Sequence, residues 1–207
     1  MSTASDFVFR YAPPKPGSSR ILVLLHGTGG DEASLVPFAE LIDPLAGYLS
    51  VRGKVLEHGA PRFFRRLAEG VFDLEDLHFR TAELEAFLAA KTAEHGWSPD
   101  QLVALGYSNG ANIASSLLLS GSKTVGGAIL LRGMIPFEPV DRVDLTGKSV
   151  FLSSGKFDPI VPVEQPKHLA ELFSERGAAV TLEWQELGHN LGRPELTSVA
   201  TWLGALD

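Results

Sequence analysis

Leu102-Val103-Ala104-Leu105-Gly106-Tyr107-Ser108-Asn109-Gly110-Ala111-Asn112 is the stretch that decides how this chain folds. An apolar, strand-like run enters Gly-x-Ser-x-Gly, and small, helix-compatible residues leave it. That is the setting of a nucleophile elbow, a strand-to-helix turn so tight that its serine takes strained backbone geometry. Gly106 and Gly110 have no side chains, so neighbouring backbone is expected to pack against the bend. One hydroxyl, that of Ser108, is then held at the positive end of a helix. The five-residue motif alone is a weak signal, and the competing reading is an ordinary turn serine. The flanking strand and helix favour the elbow.

A serine hydroxyl is a poor nucleophile without a base and an acid that orients the base. Val150 to Gly155 reads as a buried strand that runs into Lys156-Phe157-Asp158-Pro159-Ile160-Val161-Pro162. Asp158 thus falls just past a strand's C-terminal end, where open α/β sheets bind ligands. Its competing reading is a turn-capping Asp before Pro. The rival acids Asp141 and Asp144 precede this strand rather than follow it. Ala179 to Leu187 has strand character and leads into Gly188-His189-Asn190, which sets His189 on a loop at the same edge. The rival His168 lies in a helical pattern beside Lys167 and reads as a surface residue. Ser108, Asp158 and His189 follow one another in the order nucleophile, acid, base, the chain order of one of the known triad arrangements.

Ile21 to Leu25 is a continuous apolar run, as expected of a parallel strand buried on both faces. It leads into His26-Gly27-Thr28-Gly29-Gly30-Asp31. An oxyanion hole draws one backbone N–H from the residue after the nucleophile and one from an earlier post-strand loop. That assigns the N–H groups of Asn109 and Thr28. Each such donor is worth on the order of 10²–10³ in rate. His26 precedes the loop and reads as a buried histidine that orients the loop backbone. The remaining histidines show no paired ligand spacing, so no metal site and no cofactor are expected.

These motifs resemble the phospholipase/carboxylesterase family of α/β-hydrolases, which includes acyl-protein thioesterases. Leu25 to Gly30, Gly106 to Gly110, Asp158 to Pro162 and Gly188-His189 carry the resemblance over nearly the whole chain. Val51-Arg52-Gly53, Pro61 to Arg66 and Gly70 to Asp73 are further similar to the bacterial MhqD-like hydrolases associated with hydroquinone and quinone resistance. The broad family usually has Gln where Asn109 stands and often Leu where Thr28 stands. Both positions are expected to act through backbone N–H, so the departures leave the chemistry intact. The resemblance implies an α/β-hydrolase fold and makes a homodimer a candidate assembly.

Composition is consistent with this. The chain has 207 residues, 44% hydrophobic and 21% charged, which suits a single domain over residues 1–207 with a proper core. The net charge of −7 argues against nucleic acid and against anionic membrane surfaces. There is no cysteine, so disulfide and thiolate chemistry are excluded. No apolar run approaches the ~20 residues of a membrane helix, and Met1 to Asp6 lacks the pattern of a signal peptide. A cytoplasmic protein is expected.

Strands and helices alternate, which predicts a mostly parallel sheet covered by helices on both faces, without a separate cap domain. Strands are expected over Phe7 to Tyr11, Arg20 to Leu25, Tyr48 to Val51 and Gly127 to Arg132. Pro13 to Ser19 reads as a hairpin-like turn or short loop. Asp31 is expected to cap a helix over Glu32 to Ile42. Further helices are expected over Leu74 to Glu94, Asn109 to Leu119 and Pro162 to Arg176, and near the C-terminus around Leu196 to Leu206. Arg52 to Asp73 reads as irregular. Within it Phe63, Phe64 and Arg66 are candidate substrate contacts, together with Met134; the alternative for the phenylalanines is core, and for the arginines ion pairs.

The expected activity is hydrolysis of short-chain or aryl carboxylic esters, a small-molecule substrate, through an acyl-enzyme on Ser108. One alternative is an acyl-protein thioesterase or lysophospholipase. Another is a binding protein of the quinone-stress response that keeps the fold without turnover.

Overall fold

Apolar runs that do not alternate are buried on both faces, and two of them form the centre of the sheet. The computed structural model describes residues 7–206. Its strands are β1 (Phe9–Ala12), β2 (Ile21–Leu25), β3 (Gly47–Val51), β4 (Val55–Glu57), β5 (Ala60–Arg62), β6 (Arg66–Ala68), β7 (Val71–Phe72), β8 (Leu102–Tyr107), β9 (Gly127–Leu131), β10 (Ser149–Gly155) and β11 (Ala179–Gln185). Its α-helices are α1 (Val36–Ile42), α2 (Leu74–His95), α3 (Asn109–Leu119), α4 (Glu164–Ser174) and α5 (Arg193–Gly204). Seven strands form one sheet in the order β1-β3-β2-β8-β9-β10-β11. Every pairing is parallel except that of β1 with β3.

The pleat sends alternate residues of each central strand into two separate cores. Ile21, Val23 and Leu25 meet residues of α2, α3 and α4, such as Leu84, Leu117 and Phe173. Leu22 and Leu24 meet Ala39 and Ile42 of α1 and Val199 and Leu203 of α5. A strand feeding both cores has no polar face, which is why β2 and β8 read as unbroken apolar runs. Among the described residues no helix is long and apolar enough to cross a membrane.

Three local expectations differ from the structure. β1 pairs with β3 rather than β2, so of the two readings of residues 13–19 the short loop is the one found, and the hairpin-like turn is not. Helix α1 starts at Val36, later than Glu32, and Asp31 does not cap it. Instead Asp31 Oδ1 accepts from the Ala33 N–H at 2.9 Å and the Ser34 hydroxyl at 3.0 Å, holding a local turn. The stretch 52–73 is also more ordered than its composition suggests: β4 pairs with β5 and β6 with β7, as two small antiparallel hairpins. Strands of two or three residues carry too few alternations for a pattern to show.

The sheet order explains where a site forms. Helix α1 leads from β2 to β3 on one side, whereas α3 leads from β8 to β9 on the other. A crevice opens where the connections diverge, beyond the C-terminal ends of β2 and β8. The loop after β2 and the turn after β8 meet there.

Candidate active site

The turn after β8 is held in place by close backbone packing. Ser108 has φ 53° and ψ −114°, an unfavourable conformation for a residue with a Cβ. A Cβ on Gly106 would collide with the Gly110 carbonyl, and one on Gly110 would collide with the Leu25 carbonyl. Only glycine permits this contact between the elbow, α3 and β2. The Ser108 N–H donates to the Leu131 carbonyl at 2.8 Å, tying the elbow to the end of β9.

Two neighbouring loops bring their side chains to the Ser108 hydroxyl. His189 Nε2 lies 2.9 Å from Ser108 Oγ, and His189 Nδ1 lies 2.8 Å from Asp158 Oδ2. Asp158 Oδ1 accepts from the Ile160 N–H at 2.8 Å and the Val161 N–H at 3.1 Å. With one oxygen fixed by backbone donors, the other is aimed at the imidazole. The Asp158 side chain is 1% exposed, so little water competes for it. The rivals lie elsewhere: His168 stands on α4, paired with Glu138 at 2.9 Å, and Asp144 accepts from the Thr146 N–H before β10 begins.

The loop carrying His189 is fixed by three consecutive carbonyls. Arg132 Nε donates to Gly188 O at 2.9 Å, the Tyr107 hydroxyl to His189 O at 3.0 Å, and Arg132 Nη2 to Asn190 O at 3.0 Å. Arg132 sits at the end of β9 with φ 57° and is buried against the equally buried Glu195 of α5. Burial raises the pKa of the Tyr107 phenol, which favours its role as a donor. Sequence reading missed Tyr107, Arg132 and Glu195. The available signal was a lone arginine directly after the apolar run Gly127 to Leu131, since a buried charge demands a partner.

The loop after β2 is organised by His26, as expected. His26 Nδ1–H donates to Gly27 O at 2.7 Å, and Nε2 accepts from the Gly53 N–H at 3.0 Å. This pattern requires the neutral ring, because a protonated Nε2 has no lone pair to accept with. Burial lowers the His26 pKa, outweighing the Gly27 carbonyl, which raises it. The unfolded chain therefore takes up this proton first as pH falls below about 6.5, and stability drops with it. Denaturant unfolding across that range should show a steeper loss of stability in the wild type than in His26→Gln, whose amide oxygen still accepts from Gly53. Identical pH dependence in both proteins would refute the assignment.

Thr28 and Asn109 both border the same crevice as Ser108 and His189. The Gly29 N–H is spent on Pro61 O and the Gly30 N–H on Gly27 O. The Asn109 N–H lies in the first turn of α3, where helix donors have no partner within the helix. The crevice holds about 330 Å³ and is also bordered by Arg62, Arg66, Phe72, Asn112, Met134 and Ile160. Met134 and Arg66 therefore stand where a substrate contact was expected.

Phe63 and Phe64 do not. They are 2% and 0% exposed and belong to the core. The Phe63 ring packs on His26 and the Phe64 ring edges onto Phe72. Rings of this size are stabilised more by full burial than by a half-wet wall. What this segment contributes to the site is backbone and charge. The Phe63 N–H donates to Asn109 Oδ1 at 2.7 Å, and Arg62 Nη1 to Thr28 Oγ1 at 2.8 Å.

With this geometry in view, similarity to known proteins decides the family. Residues 74–206 match the family described as Phospholipase/Carboxylesterase. The chain belongs to that family. It is thus a carboxylic ester hydrolase with the α/β-hydrolase fold and no separate cap. It is 43% identical over 188 residues to a Bacillus subtilis (strain 168) protein named as the hydrolase MhqD, covering 91% of this chain and 94% of that one. It superposes on the Bacillus cereus carboxylesterase with a TM-score of 0.94 at 44% identity, over 98% of this chain and 96% of the other. The structure of YahD with malic acid gives a TM-score of 0.91 at 32% identity, over 97% and 100% of the two chains.

Proposed function

We propose that this esterase cleaves short-chain or aryl carboxylic esters, using Ser108 as nucleophile, His189 as base and acid, and Asp158 as the orienting carboxylate. The observation that carries the reading is the unbroken hydrogen-bond chain from Ser108 Oγ through His189 to Asp158, at the edge of a crevice of about 330 Å³. Ser108 Oγ attacks the acyl carbon while its proton passes to His189 Nε2. The N–H groups of Thr28 and Asn109 hold the resulting oxyanion. His189 returns the proton to the leaving alcohol as the C–O bond breaks, leaving an acyl group on Ser108. Water then attacks the acyl carbon, giving its proton to His189, and the acid departs as Ser108 Oγ regains that proton. Asp158 keeps Nδ1 protonated throughout, so Nε2 is the nitrogen that takes up and returns the proton.

Size supports a short acyl chain. A volume of 330 Å³ is at the small end of the ~300–1,000 Å³ range of ligand sites. Each methylene that finds apolar surface adds about 0.8 kcal/mol, and a long chain finds little here. With monomeric substrates below their micelle concentrations, kcat/KM on p-nitrophenyl acetate or butyrate should exceed that on the palmitate. A palmitate preference would reject the small-site reading and favour a thioesterase or lysophospholipase.

A further inference from the structure

Arg62, Arg66, Asn109 and Asn112 give the crevice a lining rich in hydrogen-bond donors. Asn109 Oδ1 is taken by the Phe63 N–H at 2.7 Å, and Asn112 Oδ1 by the Met134 N–H at 2.8 Å. Both asparagines border the crevice, and both have committed their only side-chain acceptor to backbone. What each retains is its NH₂ group. Asn109 Nδ2 is buried with no hydrogen-bond partner in the protein, in a residue that is 3% exposed. An unmatched buried donor carries a real cost, and such groups call for an explanation.

Two guanidinium groups, of Arg62 and Arg66, also line the crevice. Arg62 is 3% exposed, and Arg66 is partly open to solvent. They share one carboxylate: Glu57 lies 3.2 Å from Arg62 Nη1 and 2.9 Å from Arg66 Nη2. One carboxylate against two guanidiniums leaves a unit of positive charge uncompensated in this pair. Burial and the neighbouring Arg66 charge both lower the pKa of Arg62, consistent with two cations held close. The other carboxylate bordering the crevice, Glu69, is exposed. The exposed Glu69 and the partly open Arg66 thus oppose each other in sign, whereas Arg62 is a buried cation.

We infer that the natural ester carries a carboxylate beside the scissile bond, received by Arg62, Arg66 and Asn112. The inference rests on the esterase reading of Ser108. It is distinct from the oxyanion contacts, which use backbone N–H rather than these side chains. A carboxylate supplies the charge that the arginine pair lacks and an acceptor for the Asn112 amide. Charge-assisted hydrogen bonds of this kind are roughly twice as strong as neutral ones. A simple alkyl acyl chain would leave the same donors unmatched.

The test compares esters that differ only in this group, by pH-stat at neutral pH. Monoethyl succinate, with the charge on the acyl side, is paired with ethyl isocaproate. O-Acetylglycolate, with the charge on the alcohol side, is paired with isobutyl acetate. In at least one pair kcat/KM should favour the carboxylate by about tenfold or more, and the favoured pair tells which side of the ester faces Arg62, Arg66 and Asn112. Arg66→Gln should shrink that ratio, and Glu69→Gln should widen it. The wild-type ratios decide the matter even if Arg66→Gln does not fold. Ratios at or below one in both pairs, with the neutral esters turned over, would overturn the inference and leave the esterase reading intact. Turnover of none of the four esters, together with none of p-nitrophenyl acetate, would overturn both.

Discussion

Ser108→Ala should abolish ester turnover while leaving the protein folded, with a loss of roughly 10⁴–10⁶ in kcat. The substitution removes one oxygen, and its only side-chain hydrogen bond is the one to His189. Alanine is no worse than serine at φ 53°, so the backbone strain of the elbow is unchanged. The size of the effect follows from the route: without Oγ there is no acyl-enzyme, and the remaining groups act only as a binding site for the oxyanion. Circular dichroism and unfolding curves should match the wild type. More than a tenth of the wild-type activity in folded Ser108→Ala would sink the assignment.

The second large effect is expected from Asp158→Asn, a change of one atom type. In the wild type the Ile160 and Val161 N–H groups hold Oδ1, and Oδ2 faces His189 Nδ1. Those backbone donors would keep the amide oxygen of asparagine and turn its NH₂ toward the ring. Nδ1 would then have to accept, which moves the ring proton to Nε2. A protonated Nε2 cannot take the Ser108 proton, and kcat should fall by about 10⁴. The fold should persist, because the shape and both backbone contacts persist. Near-normal turnover by folded Asp158→Asn would mean that another group orients His189.

The elbow was legible because its requirements are local. Gly106 and Gly110 are needed where backbone meets backbone, and the apolar run before Ser108 marks a strand buried on both faces. The meeting of Ser108, Asp158 and His189 was legible for a related reason. Each follows a strand, and parallel strands deliver their C-terminal ends to one edge. The loop order of His26 could also be read, since an apolar strand end leaves a histidine little water.

Features that depend on distant partners did not show. The pairing of β1 with β3 is set by sheet order, which no local pattern records. The inward turn of Phe63 and Phe64 depends on His26 and Phe72 being there to receive them. Arg132 looked like an ordinary strand-end arginine. Its role depends on Glu195, far away in sequence, and on the carbonyls of the His189 loop. The donor-rich lining of the crevice is the same kind of feature. An asparagine in a sequence offers both a donor and an acceptor, and only the fold shows that Phe63 and Met134 have taken the acceptors.

Whether Ser108 is the nucleophile is decided by covalent trapping. The purified protein would be treated with a fluorophosphonate and digested, and the modified residue located by mass spectrometry. One phosphonyl adduct is expected, on Ser108, formed in step with loss of esterase activity and slowed by a short-chain ester. An adduct on another residue that tracks the loss of activity, or full ester turnover with no adduct on Ser108, would contradict the assignment.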